Sequence, residues 1–207
     1  NIDSLDEKWR KPMKQMHQQS NRMESIVRDL LLLSSLETRT LGKQQDEIVL
    51  SLLLSEIKND TQSIFEKRVH EFIIDCSAEI VIKGARSELY SAISNLAVNA
   101  AKYTPENGVV VIKVSQSEQT IDIEVIDNGI GIEAEHIPRL TERFYRVDSS
   151  RSSETGGTGL GLAIVKHILA RHDGELDISS EIGQGSIFNC KLPIARLISK
   201  RAKEEAE

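Results

Sequence analysis

The chain has 207 residues, of which 28% are Asp, Glu, Lys or Arg, and a formal net charge of -6. That length suits one large domain or a domain with an appendage, long enough to bury a proper core, and two pieces are expected. A net acidic chain lacks the basic face that neutralises a phosphate backbone, so nucleic acid is excluded as the main partner.

Residues Asp6 to about Thr40 contain no glycine, and Met13, Met16, Ser20, Met23, Val27, Leu30 and Ser34 recur at alternating steps of three and four. This is a heptad seam. Such a stripe needs a partner helix, in a second copy of the chain, or else docks on its own domain; pairing through a bundle is the sharper expectation. Gly42 to Glu47 breaks the helix, Glu47 to Leu50 reads as a short strand, and Leu52 to Lys67 as a helix. Val69 to Asp75 and Glu79 to Lys83 are rich in β-branched residues and read as strands. Arg86 to Lys102 predicts a helix with Leu89, Ile93, Leu96 and Ala100 on its buried stripe, ended by Tyr103-Thr104-Pro105. Val109 to Ser115 and Thr120 to Asp127 should form a hairpin.

The stretch from Glu133 to Gly156 is long, rich in Arg and Ser, and only briefly helical around Ile137 to Arg143, which fits a lid between two glycine motifs. Thr158 to Arg171 reads as a helix, and Glu175 to Ser180 and Ser186 to Pro193 as strands around a Gly183-Gly185 turn. The charged tail spans residues 197–207, and the last ten residues of the chain are expected to fray. The fold class is therefore α+β: a two-layer sandwich with helices on one face of a mixed sheet, preceded by a long heptad helix. The expected division is 1–41 for that helix, 42–196 for the sandwich and 197–207 for the tail. Cys76 and Cys190, each alone in an apolar run, read as buried reduced thiols. There is no run of about 18 apolar residues and no signal-peptide pattern, so the chain is expected to be soluble as it stands. Beginning at Asn1, it reads as a portion of something longer.

Four short motifs carry chemistry. Asn95, Asn99 and Lys102 fall at i, i+4 and i+7, so they share one helical face beside the apolar stripe. Magnesium takes few protein oxygens and keeps its other positions for water and phosphate, so one Asn carbonyl could serve as its protein ligand; a solvated polar face is the alternative. In Thr120 to Asp127, strand parity puts the Asp127 carboxylate on the apolar face, where it needs a donor such as a purine amine. Gly129 and Gly131 leave room for a flat ring, although Asp-Asn-Gly is also an ordinary turn. Gly157-Thr158-Gly159-Leu160-Gly161 runs into a helix, whose unpaired N–H groups and positive dipole end suit phosphate. It has neither a Walker A lysine nor a G-x-G-x-x-G pattern, so those two nucleotide classes are disfavoured. Arg146, in the lid, could add a charge-assisted contact or be a solvated surface charge.

Together with Gly183-Gln184-Gly185-Ser186, these motifs resemble, in order, the N, G1, G2 and G3 boxes of sensor histidine kinases. Glu142 to Asp148 resembles their F box, and Leu33-Ser34-Ser35-Leu36-Glu37 the end of the second helix of their dimerisation domain. His136 to Phe144 looks most like phosphate-regulon sensor kinases. The resemblance implies an ATP-binding sandwich of the gyrase, chaperone, kinase and mismatch-repair superfamily (the GHKL or Bergerat fold). It implies that Asn99 coordinates Mg2+, that Asn95 and Lys102 face the phosphates, that Tyr103 contacts the adenine and that Asp127 accepts from the adenine amine. Gly129 and Gly131 would shape the purine site, while Gly157, Gly159 and Gly161 would let the lid wrap the triphosphate. The implied partners are a response regulator and, through the dimerisation helix, a second copy of the intact protein. The implied location is the cytoplasmic portion of an inner-membrane-anchored protein, with any membrane link in segments N-terminal to this one.

The superfamily's ATPases place a water-activating glutamate four residues before the metal-binding asparagine, where this chain has Asn95. That favours phosphoryl transfer over hydrolysis. The family's phosphoacceptor histidine sits in an H box, and neither His17 nor His70, His136, His167 or His172 has that context. Smaller departures are Thr141, where the F box often begins with phenylalanine, and Ser186, where the G3 box usually has threonine. The expected activity is donation of the γ-phosphate of Mg-ATP to a histidine outside this chain; a nucleotide-gated binding module and a stand-alone ATPase are the alternatives.

Overall fold

The computed structural model describes residues 7–38, 45–65, 71–76, 78–147 and 157–202. A long helix, α1 (Glu7–Thr38), leads into β1 (Asp46–Val49), α2 (Leu50–Ile64), β2 (Glu71–Asp75), β3 (Ala78–Gly84) and α3 (Arg86–Tyr103). There follow β4 (Val109–Gln116), β5 (Thr120–Asp127), α4 (Gly161–Arg171), β6 (Glu175–Glu181), β7 (Gly185–Pro193) and β8 (Leu197–Ala202).

Five strands form a mixed sheet in the order β2-β4-β5-β7-β6, with β2 parallel to β4 and every other pair antiparallel. Its inner face carries Val110, Ile112 and Val114 of β4, Ile121, Ile123 and Val125 of β5, and Phe188, Cys190 and Leu192 of β7, all buried. Strand period two puts Lys113, Glu124 and Asn189 on the other face, where the register makes them cross-strand neighbours. The helices α3 and α4 cover the apolar face. Leu89, Ile93, Leu96 and Ala100, at the steps the sequence displays, are at most 1% exposed, and each buried Leu or Ile contributes about 1.5–3 kcal/mol. From α2, Leu53, Leu54 and Ile57 complete the core. Both cysteines are buried free thiols.

The expected hairpin of β4 and β5 is present, from Val110 opposite Asp127 to Gln116 opposite Ile121. The strands β2 and β3, adjacent in sequence, go to different sheets: β3 pairs antiparallel with β1 and β8 in a separate sheet of order β1-β3-β8. This corrects the expectation that the last ten residues fray, since β8 extends to Ala202. The second edge of β3 offers unpaired backbone groups, and Leu197, packed against the core, sets the register opposite Ile82. Residues 203–207 lie outside the described residues, as does the expected domain boundary at 41/42. The helix α4 starts at Gly161, three residues later than expected, because Gly159 adopts φ +74°, a value a right-handed helix does not accommodate.

The helix α1 has two faces. Met13, Met16, Met23, Val27 and Leu30 of the heptad stripe are exposed, whereas Leu33 and Leu36 are 1% and 5% exposed and belong to the core cluster. Docking on its own domain, the alternative to pairing, is therefore real, but it uses other residues than the stripe.

Candidate functional site

The polar face of α3 meets the loop that precedes α4. Asn95, half-buried, donates from Nδ2 to the Ser91 carbonyl at 2.8 Å, which fixes the amide and aims Oδ1 at the start of α4. A Cβ at Gly161 would stand 2.7 Å from that oxygen, so the close approach of the two helices requires glycine there. One turn on, Asn99 is half-buried, and no group among the described residues bonds its amide. Lys102 lies another turn along, with Nζ 5.2 Å from the Tyr103 ring centroid and 3.0 Å from where a Gly157 Cβ would stand. Arg146 reaches the same place from the lid and donates from Nη1 to the Gly157 carbonyl at 2.6 Å. Burial, and after it the Arg146 charge, holds the Lys102 ammonium below the usual lysine range. Two cations converging on one glycine loop make a place that an anion would relieve.

At the C-terminal end of α3, Asp127 is 6% exposed, on the apolar face that parity assigns to it. Its Oδ1 accepts the Gly129 N–H at 2.8 Å, and the Ser186 backbone N–H bonds the same carboxylate. Burial pushes the carboxyl above the usual range, while these two bonds pull the other way. The Tyr103 carbonyl accepts the Ile130 N–H at 3.3 Å, tying the end of α3 to the Asp-Asn-Gly turn, and the Tyr103 side chain is exposed. A Cβ on Gly129 would lie 2.5 Å from that carbonyl oxygen and 2.7 Å from Asp127 Oδ1. Gly131, at φ +70°, lies against the backbone of Glu181 and Ile182.

The lid is stitched to the glycine loop. Phe144, at φ +64°, donates its N–H to the Gly159 carbonyl at 2.9 Å. Its neighbour Tyr145 bonds His136 Nδ1 at 2.7 Å and lies under the Arg139 guanidinium, 4.2 Å from ring centroid to Cζ. Leu160 is fully buried beneath the loop. The brief helix expected around Ile137 to Arg143 is a single 3-10 turn, Ile137–Arg139. Residues 148–156, with the end of the F-box resemblance and the remainder of the expected lid, lie outside the described residues.

Sequence reasoning missed Asp29. Thr158 Oγ1 donates to Asp29 Oδ2 at 2.8 Å, joining α1 to the glycine loop. The signal was the step of four to Leu33 and seven to Leu36, a second periodic face hidden beside the heptad stripe.

The family model described as Histidine kinase-, DNA gyrase B-, and HSP90-like ATPase matches residues 84–196, more than half the chain. The phosphate regulon sensor protein of Pseudomonas aeruginosa is 45% identical over 203 residues, covering 98% of this chain and 46% of that protein. That of Haemophilus influenzae is 43% identical over 94% of this chain and 45% of its own length. The sensor-like histidine kinase SenX3 of Mycobacterium tuberculosis is 35% identical over 84% and 43%. The chain thus spans less than half the length of these relatives. Among solved structures, full-length ShkA in complex with AMPPNP superposes with TM-score 0.78 at 23% identity, over 98% of this chain and 42% of that one. The Acinetobacter baumannii histidine kinase AdeS gives 0.72 at 22%, over 93% and 88%. Both agree in fold. The chain therefore belongs to the histidine kinase-, DNA gyrase B- and HSP90-like ATPase family, as an ATP-binding catalytic domain similar to those of phosphate-regulon sensor histidine kinases.

Proposed function

We propose that this chain binds Mg-ATP and donates its γ-phosphoryl group to a histidine on a dimerisation helix, from which it passes to an aspartate of a response regulator. The observation that carries the reading is the convergence on one side of α3 of a buried carboxylate, an Asn amide that no other described residue bonds, and two cations beside a helix N-terminus. Asp127 would accept from the adenine amine and Tyr103 would lie against the base, with Gly129 and Gly131 keeping the ring's approach open. The carbonyl of Asn99 suits a hard divalent cation, because its amide oxygen has no partner among the described residues. Lys102 and Arg146 would hold the phosphates by charge, and the N–H groups at Gly157, Thr158, Gly159 and Gly161 would cradle them, while that of Leu160 bonds Thr158 Oγ1.

Mg-ATP supplies the transferable phosphoryl group and a cation that offsets its charge. The chain's own contribution is positioning and charge neutralisation. Asn95 offers no base to activate water, since its amide is neutral and its nitrogen is tied to Ser91. That favours transfer over hydrolysis. None of the five histidines has an H-box context, so the acceptor is supplied by another segment. The exposed heptad stripe of α1 fits pairing with a second copy. Among the described residues no helix is long and apolar enough to cross a membrane. The resemblance supports a position on the cytoplasmic side of an inner-membrane-anchored protein.

The test mixes the chain with γ-labelled ATP and a separate helical fragment bearing an H box. Label on the fragment's histidine is expected. Free phosphate alone would instead identify an ATPase, and nucleotide binding with neither product a nucleotide-gated binding module. Asn99→Ala should abolish Mg-ATP binding by calorimetry, and an unchanged affinity would remove Asn99 from the site.

A further inference from the structure

The glycine loop before α4 carries a hydroxyl whose proton is already engaged. Thr158 Oγ1 accepts the Leu160 N–H at 3.2 Å and gives its own proton to Asp29 Oδ2 at 2.8 Å. A hydroxyl has one proton to donate, so while Asp29 receives it a phosphate oxygen cannot. The same carboxylate sets a negative charge beside a loop whose other charged neighbours, Lys102 and Arg146, are cationic. Its position is enforced by a docked helix. Leu33 and Leu36 are buried on the same face of α1, and Arg171 donates to the Leu36 carbonyl at 3.0 Å. Two further bonds to Glu88, at 2.9 and 3.0 Å, hold that arginine, and Glu37 pairs with Arg143 of the lid.

We propose that Asp29 is a positioning residue that sets the site's relative affinity for nucleoside triphosphate and diphosphate, acting through the Thr158 hydroxyl. The inference rests on the nucleotide reading of this loop. Whichever phosphate reaches Thr158, the triphosphate carries the greater negative charge, so the Asp29 carboxylate weighs more heavily against it. Triphosphate binding therefore works against the Thr158–Asp29 pair, and with it against the docking of α1 on the loop, more strongly than diphosphate binding does. If Asp29 served only to tether α1, its removal would change both affinities by the same factor.

The experiment is calorimetric titration of Mg-ATP and Mg-ADP into the full chain, its Asp29→Asn and Asp29→Ala variants, and Leu36→Ala. The Asn variant keeps the shape but makes a neutral hydrogen bond, so Mg-ATP should tighten about fivefold, with Ala tighter still and Mg-ADP moving less than about twofold. The gain should shrink as salt is raised. Leu36→Ala, which weakens docking without altering charge, should shift the ratio of the two affinities in the same direction. Equal changes for both nucleotides, no change, or weaker Mg-ATP binding would overturn the role of Asp29 while leaving the site assignment standing. Failure of the parent chain and all variants to bind either nucleotide would overturn the site assignment itself.

Discussion

A single methyl group tests whether the Asp-Asn-Gly turn is a purine site or only a turn. Gly129 is buried, and its N–H bonds Asp127 at 2.8 Å. In Gly129→Ala the new Cβ would stand 2.5 Å from the Tyr103 carbonyl oxygen and 2.7 Å from Asp127 Oδ1. Both must retreat by roughly half an ångström or more to reach ordinary packing distances, an overpacking cost of about 1–3 kcal/mol. The reduced freedom of the unfolded chain returns about 0.4–1 kcal/mol, because Gly129 is not at positive φ. The net loss is roughly 1–2 kcal/mol, or about 2–8 °C in Tm for a chain of this size. Gly183→Ala is the matched control. Its Cβ meets nothing within 4 Å, but φ is +76°, so it loses a similar 1–2 kcal/mol or so through backbone strain alone; its N–H bonds the Ile130 carbonyl at 2.9 Å, but the added methyl touches neither Asp127 nor Gly129. Thermal unfolding should therefore rank the two variants together, while calorimetry separates them. Gly129→Ala displaces the Asp127 acceptor and should weaken Mg-ATP roughly 10- to 100-fold, the cost of a hydrogen bond to a charged group. Gly183→Ala, whose methyl leaves the Asp127 acceptor in place, should lose far less. Equal affinities in the two variants would refute the purine assignment of Asp127 and Gly129.

Lys102→Met should separate stability from binding. A lysine held below its usual pKa resists carrying charge in the fold, and that cost is complete at pH 7 and relieved only at alkaline pH. The variant should melt higher than the parent without nucleotide and bind Mg-ATP more weakly; a lower Tm would contradict the electrostatic account. His172 predicts the acid limb of the stability curve. It is fully buried, donates from Nδ1 to the Ile168 carbonyl at 2.8 Å and accepts the Ala85 N–H on Nε2 at 3.1 Å, an arrangement only the neutral ring satisfies. Burial, with Arg196 and Arg171, lowers its pKa, against the Ile168 carbonyl bond and then Glu88, which raise it. Because the unfolded chain takes up this proton first, the stability from His172 is whole above about pH 6.5 and falls as pH drops toward the lowered value. Melting curves from pH 8 to 5 should fall more steeply for the parent than for His172→Gln, and parallel curves would show that this ring does not titrate the fold.

What was legible in the sequence was local. The stripe of α3 and the β4-β5 hairpin follow from periods of 3.6 and 2, and the burial of Asp127 follows from strand parity alone. Partner choice between distant strands is not local. Nothing in Glu71–Asp75 says that it lies parallel to Val109–Lys113 instead of pairing with the strand that follows it. The tail misled because its charges suggested solvent, whereas the open edge of β3 supplied a partner for Leu197–Ala202. Asp29 escaped notice because helical faces were traced by apolar residues, and its partner Thr158 is 129 residues away.

The geometry of α1 ties that oversight to function. At 100° per residue, the direction shared by Met16, Met23, Val27 and Leu30 lies roughly 130° from that shared by Asp29, Leu33 and Leu36. The first set is exposed and the second turned toward the catalytic core, with Leu33 and Leu36 buried in it. A partner helix can therefore cover the stripe without displacing the docked face. Both faces nevertheless belong to one continuous helix, in which 30 and 29 are successive residues. Any rotation of α1 that repacks the stripe must carry Asp29 relative to Thr158. A bond of 2.8 Å tolerates only a small displacement before it is lost. Pairing of α1 through the stripe would thus be mechanically linked to the state of the glycine loop, through a side chain that belongs to neither the heptad seam nor the four nucleotide motifs.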